Sequence, residues 1–289
     1  MTNKPLSRRN FLKQGLLGAG AVGMMLAAGS GLYGIFGERN WIQTTKIHLT
    51  FGRYPLALAG VRIVQFSDTH IGSYYNIGHL AQLVDLLLQH EPDILCFTGD
   101  LFDSKVGRIT DEVIPLLSQL QAPMGKFAVL GNHDMRMGSA RIKTILEKSG
   151  FTVLVNESQR VKRGDGSIHV VGVDEMLHGR PDLPRALKDV SKDEFVLLLA
   201  HEPDFADIAW KYPVDLQLSG HSHGGQIRIP FYGSLFMPEL GQKYSLGLYK
   251  FEGSDFHVYT NRGIGTTLFP IRFNCRPEIS VFVLDSVHA

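Results

Sequence analysis

The stretch Val61-Arg62-Ile63-Val64-Gln65-Phe66-Ser67-Asp68-Thr69-His70 is an apolar strand that leads directly into Asp68 and His70. Four other apolar runs end in the same way, and they lead into Asp100, Asn132, His201 and the pair His221 and His223. Open α/β sheets place their sites at the carboxyl ends of strands. Carboxylate, imidazole and amide groups together are the donors that divalent metal ions take. Because these donors are too many for one tetrahedral ion, the pattern predicts a pair of metal ions.

The order of the predicted elements indicates an α/β fold. Up to residue 150, apolar strands alternate with helices, and residues 77–90, 109–120 and 141–149 show apolar side chains at helical spacing. After residue 150 short strands prevail, with a tight hairpin at residues 164–166. This alternation is typical of two packed mixed β-sheets flanked by helices. We expect a linker and first strand over residues 38–60 and one large domain over residues 61–289.

The N-terminus indicates where the protein works. The motif Ser7-Arg8-Arg9-Asn10-Phe11-Leu12-Lys13 precedes an uncharged, glycine-rich run at residues 14–37. Paired arginines before a mildly apolar run resemble a twin-arginine export signal. The run is also long enough to span a bilayer, so residues 1–37 are either a cleaved signal or a retained membrane anchor. Both alternatives predict export by the twin-arginine machinery to the periplasm or the outer face of the cytoplasmic membrane.

The composition is that of a globular protein without a nucleic-acid-binding face. Hydrophobic residues make up 44% of the chain and charged residues 20%. Four of the 29 basic residues lie in the first 37 positions, which hold no acid, so the rest carries 25 basic against 28 acidic residues. A body with a net charge of −3 does not suit bulk nucleic acid, which requires a basic face. The two cysteines, Cys96 and Cys275, make no disulfide framework.

The segments around the donors resemble one known family. They are residues 65–70, 98–100, 129–134, 199–203, 218–226, 261–265 and 272–279. Together they are similar to the calcineurin-like metallophosphoesterase superfamily, and within it to the exported bacterial phosphodiesterases of the YkuE/YaeI type. The resemblance extends from about residue 61 to residue 284, well beyond a short motif.

The resemblance implies two divalent metal ions, which we expect to be Mn²⁺, with iron or zinc as alternatives. One ion would be held by Asp68, His70, Asp100 and His223, and the other by Asp100, Asn132, His201 and His221. Asp100 would bridge the two ions. A hydroxide between the ions would then attack phosphorus in line, because two cations lower the pKa of bound water.

Further residues have roles that the resemblance implies less firmly. We expect His133 to protonate or hydrogen-bond the leaving oxygen. Asp134 would orient that imidazole, or it would be an exposed acid in a turn. Many members of the family carry an arginine after the second aspartate of Gly-Asp-x-x-Asp, whereas here Asp103 is followed by Ser104. The missing arginine weakens the case for phosphoprotein monoesters and makes Asp103 a supporting or structural residue.

The sequence therefore predicts a metal-dependent phosphodiesterase of the cell envelope. Its substrate would be a small or lipid-linked phosphodiester or pyrophosphate, and association with the membrane or the envelope is expected. Similar enzymes hydrolyse the pyrophosphate of a UDP-linked diacylglucosamine, but that substrate is cytoplasmic and does not suit an exported protein. The alternative is a metal-stabilised envelope-binding protein with little turnover. Arg262 and Arg272 either line a phosphate pocket or are buried structural residues.

Overall fold

The computed structural model describes residues 28–287, apart from residue 73 and residues 104–109, together with residues 16, 18, 20, 24 and 25. The predicted twin-arginine motif at residues 7–13 lies outside these described residues, and so does Ser104. Within the described part of the chain, no helix has both the length and the apolar character that crossing a membrane requires.

From residue 43 onward, the described residues form fourteen strands and five α-helices. The strands are β1 (Gln43–Phe51), β2 (Arg62–Phe66), β3 (Ile94–Phe97), β4 (Lys126–Ala128), β5 (Thr152–Val153), β6 (Glu157–Arg163), β7 (Gly166–Gly172), β8 (Phe195–Leu199), β9 (Leu216–Ser219), β10 (Arg228–Ile229), β11 (Gly233–Ser234), β12 (Gly247–Lys250), β13 (His257–Thr260) and β14 (Glu278–Ser286). The helices are α1 (Ile77–Leu88), α2 (Thr110–Ser118), α3 (Asn132–Lys148), α4 (Leu183–Ala186) and α5 (Ala206–Ala209).

Two six-stranded mixed sheets make up the body. The first has the order β1-β14-β2-β3-β4-β5, and only the β14–β2 pair is antiparallel. The second has the order β12-β13-β9-β8-β7-β6, with antiparallel pairs at its two edges and parallel pairs between them. The short hairpin of β10 and β11 stands apart from both sheets.

Three hydrophobic clusters hold the layers together. One lies between the two sheets, where Ile63 and Phe282 of the first sheet share a cluster with Leu197 and Leu218 of the second. Another joins the outer face of the first sheet to α1, α2 and α3. The third joins the outer face of the second sheet to α4 and α5. This helix–sheet–sheet–helix layering confirms the predicted fold class.

Helix α1 shows how the local sequence produces an element. The side chain of Asn76 accepts the backbone N–H of His79, and the imidazole of His79 accepts the backbone N–H of Asn76. This reciprocal cap satisfies two donors that a helix start leaves free. The apolar residues at helical spacing, Leu80, Leu83, Val84 and Leu87, are all buried. Their burial against the first sheet fixes the helix to the body.

Most predicted elements are confirmed, with differences at their ends. The predicted helix at residues 141–149 is wrong at its start, because α3 begins at Asn132 and bends at Gly138, whose φ is 103°. The segment at residues 38–60 contributes β1 to the first sheet, paired with β14 over nine residues. Cys96 and Cys275 are both buried and free.

The topology places the predicted donors at one edge of the molecule. Asp68 and His70 follow β2, Asp100 follows β3, Asn132 follows β4, His201 follows β8, and His221 and His223 follow β9. These strands are central in their sheets, and their carboxyl ends lie together because the sheets pack face to face. At this edge the two sheets are joined by a hydrogen bond in which Gln65 Nε2 of β2 donates to Ser219 O of β9 at 2.9 Å.

The packing between the sheets allows a test at Gly172, which is buried at the end of β7. A Cβ atom there would overlap Leu154 Cβ and lie 2.9 Å from both Leu154 O and Val129 Cγ1. We expect Gly172→Ala to reduce the free energy of unfolding by about 1–3 kcal/mol, because overpacking forces the neighbours to shift. Denaturant unfolding followed by circular dichroism measures this change.

The matched control is Gly52→Ala. Gly52 is exposed, and the nearest atom to its added Cβ is Asp255 Oδ2 at 3.9 Å. A surface substitution of this kind is expected to change the free energy of unfolding by less than about 0.5 kcal/mol. Equal effects of the two substitutions would contradict the packing described between the sheets.

Candidate metal centre

The first donor group gathers around the ends of β2 and β9. His70 Nε2 and His223 Nε2 are 3.0 Å apart, and His223 Nε2 is 3.5 Å from Asp68 Oδ1. His70 Nε2 is also 3.5 Å from Asp100 Oδ2. All four side chains are almost completely buried. The set is the one that the sequence assigned to the first ion.

The second donor group gathers around the ends of β3, β4 and β8. His201 Nε2 lies 3.3 Å from Asp100 Oδ2 and 3.3 Å from Asn132 Oδ1. His221 Nδ1 lies 3.1 Å from the same Asn132 oxygen. Asp100 Oδ2 is thus common to both groups. All seven predicted ligands are therefore brought into one cluster, as two sets that share Asp100.

Two backbone carbonyls determine which imidazole nitrogen faces the cluster. Thr98 O is 2.6 Å from His201 Nδ1, and Glu239 O is 2.7 Å from His221 Nε2. A carbonyl only accepts, so each of these outer nitrogens carries a proton, and in the neutral imidazole the inner nitrogen keeps a lone pair. Such outer contacts hold the histidine ligands of metals in one tautomer.

In the neutral imidazoles, no hydrogen lies between the inner nitrogens of His201 and His221 and the Asn132 oxygen. With both inner nitrogens unprotonated, Asn132 Oδ1 faces two lone pairs, which is unfavourable in the absence of a positive charge. Without a cation, the amide would have to turn by 180° so that its nitrogen donates to His221 Nδ1 and Asp100 Oδ2. A divalent cation satisfies these lone pairs together. The residues present therefore fit a metal pair.

The backbone adopts an uncommon conformation at most of these ligands. Five of the seven have left-handed φ values, namely Asp68 at 51°, His70 at 45°, Asp100 at 59°, His221 at 65° and His223 at 51°. This region costs a residue with a side chain roughly 1 kcal/mol or more, and such residues concentrate at functional sites. The ligands are held in these conformations by the strands that end just before them.

At Gly131 the backbone lies directly against two of the ligands. A Cβ atom on Gly131 would overlap Asp100 Oδ1 and lie 2.6 Å from His201 Cε1 and 2.7 Å from His201 Nε2. Only glycine leaves space for these two ligands to meet beside the start of α3. Gly131 is therefore required for Asp100 and His201 to lie next to each other.

The buried charges favour cations. Burial raises the pKa values of Asp68 and Asp100, but the neighbouring histidines together outweigh burial and hold both pKa values below their usual range. Burial lowers the pKa of His201, yet the neighbouring carboxylates, foremost Asp100, together outweigh burial and raise that pKa well above the ordinary value. Burial and nearby His201 lower the pKa of His221 to about 4. A cation at the second group must therefore displace a proton from His201.

His133 is the imidazole of the cluster that solvent reaches. Its side chain is 22% exposed, whereas the side chains of His70 and His201 are fully buried. The His133 backbone N–H donates to Asp100 Oδ1 at 2.8 Å, and its ring stands edge-on to His70 at 4.7 Å. His133 Nδ1 is 3.7 Å from Asp103 Oδ1. Asp103 is thus the carboxylate beside this imidazole, in the supporting position expected for it.

Both sequence interpretations of Asp134 are wrong. Asp134 is fully buried, and the hydrogen bonds and ion pairs of the described residues include none between its carboxylate and the His133 ring. As the third residue of α3, its carboxylate accepts three backbone N–H groups, from Asp100 at 2.8 Å, Leu101 at 2.9 Å and Gly131 at 2.9 Å. Burial, together with Asp100, raises the pKa of Asp134 to about 7. Its role is to tie the Asp100 loop to the loop that carries Asn132.

Glu202 is a site residue that sequence reasoning missed. Its carboxyl group lies in a cluster with His201 and His221, whose potential ligand atoms are all within 4.8 Å of one another. Burial raises the pKa of Glu202 to about 8, and its carboxylate accepts the Met176 backbone N–H at 3.1 Å. Its place directly after His201 at a strand end was the available signal.

The two arginines left open by the sequence are structural. Arg272 is fully buried and donates to the carbonyl oxygens of Arg262, Gly263, Gly265 and Cys275, at 2.6–3.2 Å. Arg262 Nε forms an ion pair with Glu278 at 3.0 Å. Arg272 therefore fixes the segment that packs behind His223, where its Nη2 lies 3.4 Å from His223 Nδ1.

Comparisons with known proteins agree with this geometry. The family described as calcineurin-like phosphoesterase matches residues 61–225. An uncharacterized metallophosphoesterase, YkuE of Bacillus subtilis, is 42% identical over 99% of this chain and the whole of that protein. Phosphodiesterase YaeI of Escherichia coli is 30% identical over 96% of this chain and 99% of that protein. The UDP-2,3-diacylglucosamine pyrophosphatase LpxG of Chlamydia trachomatis is 27% identical over 84% of this chain and 89% of that protein.

Because Asp100 belongs to both donor groups, substitutions at different ligands are expected to change the number of bound ions per chain by different amounts. We expect wild-type protein dialysed against Mn²⁺ to retain about two ions per chain, as two-metal sites do. His223→Ala, which removes a ligand of the first group only, is expected to retain about one ion. Asp100→Ala is expected to retain none, because both groups lose a ligand. Elemental analysis of desalted protein measures the stoichiometry.

His48→Ala is the matched control, since His48 is exposed on β1. It should retain the wild-type metal content, and circular dichroism should show each variant folded. Retention of two ions by folded Asp100→Ala protein would contradict a shared carboxylate.

Proposed function

This chain belongs to the calcineurin-like phosphoesterase family, and on that premise we propose that it is an envelope phosphodiesterase that works with two divalent cations. The family makes it a metal-dependent phosphoesterase. The observation that carries the proposal is the pair of donor groups that share Asp100 at one edge of the two sheets. A shared carboxylate suits in-line displacement at phosphorus, in which both the attacking and the leaving oxygen need stabilisation.

One set of residues would bind the cations, and His133 would transfer a proton. When bound, two divalent cations supply Lewis acidity toward the phosphoryl oxygens and lower the pKa of water. The seven ligands would hold these cations in a buried cluster. His133 stands at the solvent-facing side of the cluster, where it hydrogen-bonds or protonates the leaving oxygen. Asp103, beside His133 Nδ1, keeps that ring oriented.

The substrate is proposed to be a diester or a pyrophosphate. One support is that the chain has Ser104 where many relatives have an arginine suited to doubly charged monoesters. Another is the similarity to proteins named as a phosphodiesterase and as a pyrophosphatase of a UDP-linked diacylglucosamine. We propose Mn²⁺ as the metal, with iron or zinc as alternatives, because the donor set of nitrogen and oxygen atoms accepts all three.

We further propose export by the twin-arginine machinery. The support is the motif at residues 7–13 and the uncharged run at residues 14–37 that follows it. The body would then act in the periplasm or on the outer face of the cytoplasmic membrane. Envelope lipids and their phosphodiesters are within reach from both positions.

Turnover of a simple diester tests the proposed activity. Mn²⁺-loaded wild-type protein is expected to hydrolyse bis-p-nitrophenyl phosphate. His133→Ala is expected to lower kcat about 10²–10⁴-fold, the range that a general acid contributes, with the metal content unchanged. Release of p-nitrophenol measures the rate, and elemental analysis measures the metal.

His48→Ala serves as the matched control and should retain wild-type turnover, because this exposed histidine lies on β1. Equal background rates in wild type and His133→Ala would instead support the alternative, a metal-stabilised envelope-binding protein with little turnover.

Export depends on the paired arginines and is tested with them. Replacing Arg8→Lys and Arg9→Lys together keeps the charge of the segment but removes the pair that defines the signal. We expect the full-length variant to remain in the cytoplasmic fraction, while the wild-type protein is recovered outside it. Cell fractionation with immunodetection measures the distribution. Unchanged export of the double variant would contradict the twin-arginine route, and a Lys4→Arg variant serves as the matched control.

A further inference from the structure

The hairpin that follows the last metal ligand has an exposed aromatic turn. Between β10 and β11, Phe231 is 110% exposed and Tyr232 is 75% exposed, and Phe236 after β11 is 67% exposed. The hairpin is rooted on the metal-binding loop, since Arg228 Nη1 donates to Gly224 O at 2.9 Å. Gly224 follows His223 directly. An apolar turn therefore projects from the same loop that supplies a ligand.

A second exposed apolar turn lies beside the hairpin. Leu268 is 79% exposed and Phe269 is 59% exposed. The segment that leads to them starts at the cluster, where Gly265 N–H donates to Asp68 O at 2.7 Å. It is joined to the base of the hairpin by Gln226, whose side chain bonds both the N–H and the carbonyl of Thr267. Both apolar turns are thus anchored at metal ligands.

The end of the uncharged N-terminal run lies against the same face. Residues 28–37 are helical, and Gly34 O accepts the backbone N–H of Arg272 at 3.1 Å. Tyr33 of this helix and Pro230 of the hairpin line one cavity of about 410 Å³. Phe36 is 70% exposed. We define the apolar rim as Phe36, Phe231, Tyr232, Phe236, Leu268 and Phe269.

The charges around the apolar rim are mainly positive, with Glu239 as the exposed acid that follows the hairpin segment. Residues 226–238 and 263–277 contain no acidic residue, and the acid at the end of the N-terminal helix, Glu38, is buried. Three arginines of these segments, Arg39, Arg228 and Arg276, are partly exposed. Exposed aromatic and aliphatic side chains next to arginines are typical of protein surfaces that insert into the interface of an anionic membrane.

We infer that the apolar rim inserts into the surface of an anionic lipid bilayer and presents the metal-binding edge to phosphodiesters of membrane lipids. The lipid substrate class rests on the proposed phosphodiesterase activity, whereas the docking surface does not. Three observations select a bilayer as the occupant. Phe231, Tyr232, Leu268 and Phe269 stand at exposed turns, the surrounding charges are mainly positive, and the uncharged run at residues 14–37 joins the body at this face.

Depth-dependent fluorescence quenching tests the inference on the full chain. Trp41→Phe and Trp210→Phe remove the native tryptophans, and Phe231→Trp then places one tryptophan at the hairpin tip. The protein is mixed with vesicles of equal parts phosphatidylglycerol and phosphatidylcholine, in which the phosphatidylcholine carries brominated acyl chains. We expect strong quenching of this tryptophan, weaker quenching when phosphatidylglycerol is left out, and turnover of bis-p-nitrophenyl phosphate like that of the wild type.

The matched control keeps Trp210 as the sole tryptophan, through Trp41→Phe alone. Trp210 is 47% exposed and stacks on Phe251, which follows Lys250. Lys250 pairs with His257 at the start of β13, so Trp210 lies at the end of the second sheet opposite the metal-binding edge. Its emission should not respond to brominated lipid, even though the N-terminal run is present in the same chain.

The outcomes separate the docking surface from the activity. Quenching of the Phe231→Trp protein without quenching of Trp210 supports the inference, whatever the rate on the soluble diester. Absence of quenching in a protein that turns over the soluble diester would overturn the bilayer contact and leave the phosphodiesterase in place. If the unquenched protein also sediments as a dimer that Phe231→Ser dissociates, the occupant of the apolar rim is a second copy of the chain. Quenching together with no turnover would remove the proposed function and the lipid substrate while the surface stands.

Discussion

The carboxylate of Asp100 is the interaction on which the site depends. Its Oδ2 lies 3.5 Å from His70 Nε2 and 3.3 Å from His201 Nε2, so one oxygen connects the two donor groups. Its Oδ1 accepts the backbone N–H of His133, the residue proposed to act on the leaving oxygen. Its own backbone N–H is held by Asp134. Moving this carboxylate would disturb both metal groups and the proton donor together.

The ligands adopt unfavourable backbone conformations, and the packing of the two sheets stabilises these conformations. Five ligands have left-handed φ values, each of which is unfavourable by roughly 1 kcal/mol or more for a residue with a Cβ atom. The strands before them are buried on both faces, between the inter-sheet cluster and the outer helices. A rigid frame of this kind can hold strained loops that an isolated hairpin could not. The turns of the apolar rim differ from these buried strands, because they extend from the ligand loops into solvent.

The sequence predicted the features that local patterns encode. Apolar runs ending in Asp68, Asp100, Asn132, His201 and His221, together with the alternation of strands and helices, predicted the two sheets and the donors at their strand ends, and the family resemblance implied the division of the donors into two groups. The start of α3 was missed because its first turn is polar and its apolar spacing begins only later. The role of Asp134 was missed because it depends on backbone N–H groups of Asp100 and Leu101, more than thirty residues away. Tertiary contacts of this kind leave no periodic trace, and the same is true of the pairing of Glu202 with two metal-facing histidines.

We propose that two cations share the Asp100 carboxylate. Anomalous diffraction from crystals of the Mn²⁺-loaded full chain, collected on both sides of the manganese edge, tests it most directly. We expect two anomalous peaks roughly 3.5–4 Å apart, the separation of two-metal sites, one beside His70 and His223 and the other beside His201 and His221. A single peak in fully loaded crystals, or two peaks that do not both contact Asp100, would contradict the account.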